Sequence, residues 1–253
     1  MFIREYGSGR AVLALHGSPS APTDFDPLVQ RLQATMHVLL PDMPGYGQSP
    51  HIPSLSIARS VELIDEALIA RGVREVAIVG FSLGAWRAFL LALDGKTHVN
   101  TIVTIGGIAG LDPPHAAMMQ GFAKMLRGTP SLRQPFLEET MTTRMLSPQS
   151  ARTNPTAVAG AMGWLDWPHP ESLADELEAT AAAPSIYDRL SALRIPVLAR
   201  VGELDIATPP ELSQRIVNAI PDAKLQLVEG KGHALLLEDT DATVDSVATF
   251  LGA

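Results

Sequence analysis

Gly80-Phe81-Ser82-Leu83-Gly84 is the stretch with the most chemistry in it. A serine flanked two residues away by glycines can occupy a turn too sharp for larger neighbours, where its oxygen is exposed for attack on a carbonyl. The hydroxyl is a poor nucleophile until a base takes its proton. That base needs a carboxylate to fix its tautomer and stabilise the imidazolium that forms. Two downstream residues have the required types: Asp205, in Val201-Gly202-Glu203-Leu204-Asp205, and His233, in Gly230-Lys231-Gly232-His233-Ala234. A developing oxyanion would also need backbone donors. The N–H of Leu83 is one; the turn His16-Gly17-Ser18-Pro19 offers another from Ser18, because Pro19 has no N–H. The competing readings are an ordinary glycine-rich turn, a capping aspartate and a surface histidine.

These residues can act together only if the chain brings them to one edge. Short apolar, β-branched runs at 11–15, 38–40, 76–79, 101–105, 197–201 and 225–228 predict strands of a buried parallel sheet, and residues 2–6 predict an edge strand. Helical spacing at 24–35, 57–71, 83–93, 210–219 and 240–251 predicts amphipathic helices between them. The alternation implies an α/β fold with a doubly wound, mostly parallel sheet. Ser82, Asp205 and His233 then all fall at C-terminal strand ends, where open sheets carry their sites.

From 107 to 185 no strand is evident, and Pro113, Pro114, Pro130, Pro135, Pro148, Pro155, Pro168 and Pro170 predict a series of short helices, each stopped at or before a proline. The expected organisation is a core of residues 1–106 and 186–253 with a helical cap at 107–185. Met118, Met119, Phe122, Trp164 and Trp167 are the candidates for an apolar substrate pocket, with at least half of the cap's Met and aromatic residues expected to be ordinary packing.

Composition removes other chemistries. The 253 residues include no Cys, which excludes disulfides, thiolate nucleophiles and cysteine-ligated metals. Lys and Arg number 19 against 27 Asp and Glu, a net charge of −8 that offers no footprint for nucleic acid or anionic lipid. No apolar run reaches membrane-spanning length and the first residues read as no leader, so a cytoplasmic protein is expected. His51, His98, His115 and His169 are scattered without metal-ligand spacing, so neither metal nor cofactor is expected. His16 reads as a hydrogen-bonded structural histidine, and Arg87 as a charge on a helix surface rather than a clamp for a substrate carboxylate. Nothing here sets an oligomeric state.

The succession His16-Gly17-Ser18-Pro19, Pro41-Asp42-Met43-Pro44-Gly45-Tyr46-Gly47-Gln48-Ser49, Gly80 to Gly84, Gly202-Glu203-Leu204-Asp205 and Gly230-Lys231-Gly232-His233 resembles an α/β-hydrolase fold enzyme over nearly the whole chain. The resemblance implies a Ser82–Asp205–His233 triad in the family's chain order, an oxyanion hole at Ser18 and Leu83, a structural turn at 41–49 and a cap at 107–185. Serine at the elbow, where haloalkane dehalogenases and epoxide hydrolases carry aspartate, turns the expectation away from those chemistries. The expected activity is cofactor-independent hydrolysis of a small or medium apolar ester or lactone through an acyl-enzyme. The alternatives are a C–C bond hydrolase of meta-cleavage type, or a ligand receptor on the same fold with slow turnover.

Overall fold

The computed structural model describes residues 1–253, and the side chains of all but Pro130, Ser131, Leu132 and Pro170. Seven strands form one sheet: β1 (Ile3–Tyr6), β2 (Arg10–Leu15), β3 (Met36–Pro41), β4 (Glu75–Phe81), β5 (His98–Ile105), β6 (Val197–Gly202) and β7 (Ala223–Val228). Their order is β1-β3-β2-β4-β5-β6-β7, with β1 antiparallel to β3 and all other pairs parallel. After β2 the chain adds β3 on one side and then crosses to add β4 on the other, so the winding order reverses between β2 and β4. A crevice opens there at the C-terminal strand ends.

Side chains alternate across the sheet, and the burial follows. Leu13, Leu15, Ile78 and Ile102 face one apolar layer with α2 (Ile57–Ala70), α3 (Leu83–Asp94) and α9 (Pro210–Ala219). Val12, Ala14, Val79 and Val103 face the other, with α1 (Asp26–Leu32), α10 (Leu235–Glu238) and α11 (Thr240–Leu251). Two expectations need correction. The strand at 225–228 is not buried on both faces: β7 is the sheet's far edge, and Leu227 is 52% exposed. Helix α3 is not amphipathic either, since every residue from Leu83 to Leu91 is buried beneath the insertion and between the sheet and its neighbouring helices.

Between β5 and β6 lie α4 (Pro113–Leu126), α5 (Pro130–Arg144), α6 (Pro148–Thr153), α7 (Pro155–Gly163) and α8 (Pro170–Ala182). The prolines open these helices rather than stopping them: each begins on a proline, where the missing N–H costs no intrahelical bond and the fixed φ suits the first turn. Asp112, Ser147 and Asn154 cap α4, α6 and α7 by accepting a first-turn N–H. Pro135 lies inside α5 and does not end it. Among the described residues no helix is long and apolar enough to cross a membrane.

Candidate active site

Strand β4 runs into Ser82, which has φ 53° and ψ −118°, and α3 starts at the next residue. A positive φ outside glycine is strained, of order 1–3 kcal/mol, and persists only where the surroundings fix it. Here they do. The Ser82 N–H donates to Ile105 O at 2.9 Å, and α3 passes so close under β2 that a Cβ at Gly84 would collide with the Leu15 carbonyl. Among the described residues no partner accepts from the N–H of Ser18 or Leu83, and Ser82 Oγ makes no hydrogen bond.

Asp205 and His233 come from the turns after β6 and β7. The two residues are 2% and 3% exposed, and His233 Nδ1 lies 2.7 Å from Asp205 Oδ2. The other carboxylate oxygen accepts from the backbone N–H groups of Ala207 (2.9 Å) and Thr208 (2.8 Å), so the acid is an acceptor on both sides. The imidazole therefore carries its proton on Nδ1 and keeps a lone pair on Nε2. Thr208, which sequence reasoning missed, is the third member of this cluster. Its Oγ1 stands 2.8 Å from Gly106 O, 2.9 Å from Asp205 Oδ2 and 3.1 Å from His233 Nδ1. A hydroxyl three residues after the acid, at the mouth of a helix, is the only signal that could have found it.

Ser18, Ser82, Leu83, Thr208 and His233 open onto one cavity of about 50 Å³, roofed by residues that include Met119, Met145 and Leu177. Of the five expected pocket residues, Met119 lies on this cavity. Trp164 is 1% exposed and packs on Phe81, ring centroids 5.6 Å apart, within the apolar layer of the sheet. Trp167 packs under Arg4, Phe122 stacks edge-on with Phe136, and Met118 is half-buried away from the cavity. His115, read as scattered, also lines the cavity, held by Asp112 Oδ1 at 2.6 Å.

His16 donates from Nδ1 to Gly17 O (2.9 Å) and accepts the Met43 N–H on Nε2 (3.0 Å), which ties the turn after β2 to the one after β3. Burial pushes its pKa down to about 4, so it is neutral. Arg87 corrects the expectation of a surface charge. It is 2% exposed, forms an ion pair with Glu176 of α8 and donates from Nε to Ser60 Oγ of α2 at 3.2 Å, so its charge is met inside the protein. Scatter in sequence is likewise not scatter in space: His51, His169 and Glu171 each offer a ligand atom within 4.8 Å of the others, an exposed group able to hold a cation away from the Ser82 cavity.

The sequence pattern of the family described as alpha/beta hydrolase fold matches residues 10–240. The chain is 26% identical to a pimeloyl-acyl-carrier protein methyl ester esterase of Vibrio vulnificus, over 97% of this chain and 96% of that protein. Among solved structures, a thermophilic esterase from Thermogutta terrifontis superposes with a TM-score of 0.89 at 24% identity, covering 99% of this chain and 92% of that one. The enol-lactonase from Burkholderia xenovorans LB400 superposes with a TM-score of 0.88 at 17% identity, covering 100% and 96%. With the family pattern matching residues 10–240 and the neighbours superposing over nearly the whole chain, this chain belongs to the alpha/beta hydrolase fold family, as an esterase-like hydrolase.

Proposed function

We propose that the protein hydrolyses a small or medium apolar carboxylic ester or lactone through a covalent acyl-enzyme on Ser82. The observation that carries this reading is the strained Ser82 at the end of β4, opening onto the same cavity as His233, whose Nδ1 is bonded to Asp205. His233 Nε2 takes the Ser82 proton as Oγ attacks the carbonyl carbon. Asp205 holds Nδ1–H and stabilises the imidazolium. The tetrahedral oxyanion is bound by the N–H groups of Ser18 and Leu83, each worth about 3 kcal/mol when removed. His233 then returns the proton to the leaving alkoxide, and a water activated by the same imidazole releases the acid. Ser82 Oγ without a hydrogen bond suits this role, since catalytic contacts are often loose without substrate and tighten on binding.

Residues 1–106 and 186–253 carry this machinery, and 107–185 caps it. Apolar Met119, Met145 and Leu177 favour a hydrocarbon acyl group, and the relative named for a methyl ester supports a small alcohol on the other side of the bond. The test is a panel of p-nitrophenyl esters of rising acyl length, with a serine-directed phosphonate as probe. Wild type should hydrolyse the short esters and carry the phosphonate on Ser82, and Ser82→Ala should do neither while staying folded. Label on Ser18 or Ser49 instead would end the assignment.

A further inference from the structure

A cavity of about 50 Å³ is too small for an acyl chain, since pockets that hold small ligands run to several hundred. Part of the roof must move to admit an ester, and the helical insertion is not one packed body. Ala157 and Ala161 of α7, together with Trp164, belong to the apolar layer that contains Phe81 and Leu235. Helices α4 and α8 instead share a separate small cluster of Ala123, Leu126, Leu173, Ala174 and Leu177.

What ties this pair to the core is polar. The segment entering α8 lies along the 45–47 turn: the Gly47 N–H donates to Trp167 O (3.2 Å) and the His169 N–H to Gly45 O (3.1 Å). Two turns into the helix, Glu176, its side chain 12% exposed, pairs with Arg87 and accepts the Tyr46 hydroxyl at 2.5 Å. Tyr46 also lies 3.1 Å from Ser18 Oγ. A phenol has one proton to give. Tyr46 spends it on Glu176, so Ser18 is the donor in the other contact, and the relay runs from Ser18 through Tyr46 to Glu176 in one direction only. Burial, reinforced by the adjacent carboxylate, raises the Tyr46 hydroxyl well above its ordinary pKa, so the proton stays. Burial also raises the Glu176 carboxyl, but Arg87 and the Tyr46 hydroxyl oppose it and the group is held below its ordinary value.

We propose that Glu176 is a latch: when the α4–α8 pair closes, its carboxylate seats on Arg87 and Tyr46, and Tyr46 fixes Ser18 so that its N–H faces the oxyanion. With the flexible Met119 and Met145 side chains of the roof yielding to the acyl chain, closure of the acyl site and completion of the oxyanion hole are then one event. Glu176 and Tyr46 are positioning residues, and the proposal rests on the esterase reading above.

The test uses the whole enzyme as wild type, Tyr46→Phe, Glu176→Gln and the double variant. Tyr46→Phe removes one oxygen and keeps the ring that packs on His16, centroids 4.7 Å apart, so it folds even if Glu176→Gln does not. It should lower kcat on p-nitrophenyl butyrate about tenfold with KM within twofold, the pattern of an interaction made in the transition state alone. Glu176→Gln should speed amide exchange at Gly47 and His169 about tenfold, leaving β4 and β5 unchanged. The double variant should have the kcat of Glu176→Gln, because both changes cut one relay. Wild-type kcat in Tyr46→Phe overturns the positioning role, and wild-type exchange in Glu176→Gln overturns the latch. If wild type neither hydrolyses the ester nor takes a phosphonate, the esterase reading fails and the positioning role with it, while the exchange measurement still decides the latch.

Discussion

His233 depends on how closely Gly106 lets the chain approach. That glycine follows β5 with φ 54°, and a Cβ there would stand 2.9 Å from His233 Nδ1, 3.0 Å from Cε1 and 3.2 Å from Asp205 Oδ2. Gly106→Ala should therefore displace the imidazole and lower kcat by about 10²-fold, the scale of an ångström's misplacement of a catalytic group. Unchanged kcat in a folded variant would mean that the imidazole is free to shift without loss. Asp205→Asn should cost on the order of 10⁴ in kcat, because the amide presents a donor where Nδ1–H needs an acceptor; activity near wild type would move the acid elsewhere. Ser82, Asp205 and His233 were legible because each is fixed locally, by a glycine pair or by a strand end. Thr208 and Glu176 were not. Thr208 is one hydroxyl among many until Gly106 and His233 are brought beside it, and the partner of Glu176, Tyr46, lies 130 residues off along the chain and meets it only once the insertion docks.

At the scale of elements, the sheet was readable because β-branched runs between helices have few other solutions, and α9 and α11 fall on the residues expected from their periodicity. The insertion was harder to read, since helices rich in Met, Ala and Trp look alike whether they face a pocket or a core. Trp164 illustrates the difference. Fully buried against Phe81 in the sheet's own layer, it should cost about 3–5 kcal/mol on replacement by alanine and leave acyl preference unchanged in the folded fraction. Met119→Ala, at the cavity, should shift preference toward longer acyl chains with little change in Tm. Thermal melts and the ester panel together separate the two, and a changed chain-length profile in Trp164→Ala would return that residue to the pocket. Arg87 was misread for a related reason: its neighbours Ala85, Trp86, Ala88 and Phe89 left no polar face, and that absence was the available sign of burial.

For the molecule as a whole, two groups near the turn after β2, the buried His16 and the half-buried Asp24, give stability opposite dependences on pH. Burial pushes the Asp24 carboxyl from 3.8 up to about 7, against the Trp164 side chain and the Ala21 N–H bond at 3.2 Å. Between those values the native state holds a proton that the unfolded chain has released. The contribution of Asp24 is thus complete below 3.8 and lost as pH rises through about 7. Burial moves His16 the other way, from 6.5 to about 4, with the Gly17 bond and Glu176 opposing and Arg87 and Arg4 reinforcing. Here the unfolded chain binds the extra proton, so the contribution is complete above 6.5 and lost as pH falls through about 4. The windows overlap between about 4 and 6.5, where the two slopes offset each other, while above 6.5 only Asp24 acts. Asp24→Asn removes one slope and exposes the other. The variant should melt a few degrees above wild type at pH 8, where wild type carries a half-buried, poorly solvated carboxylate, and the two should converge near pH 4. Between pH 6.5 and 4 the variant should lose Tm more steeply than wild type, because His16 is no longer offset. Melting curves that run parallel from pH 4 to 8 would show that burial does not shift Asp24, and wild-type acid stability would then have to be set by the remaining carboxylates.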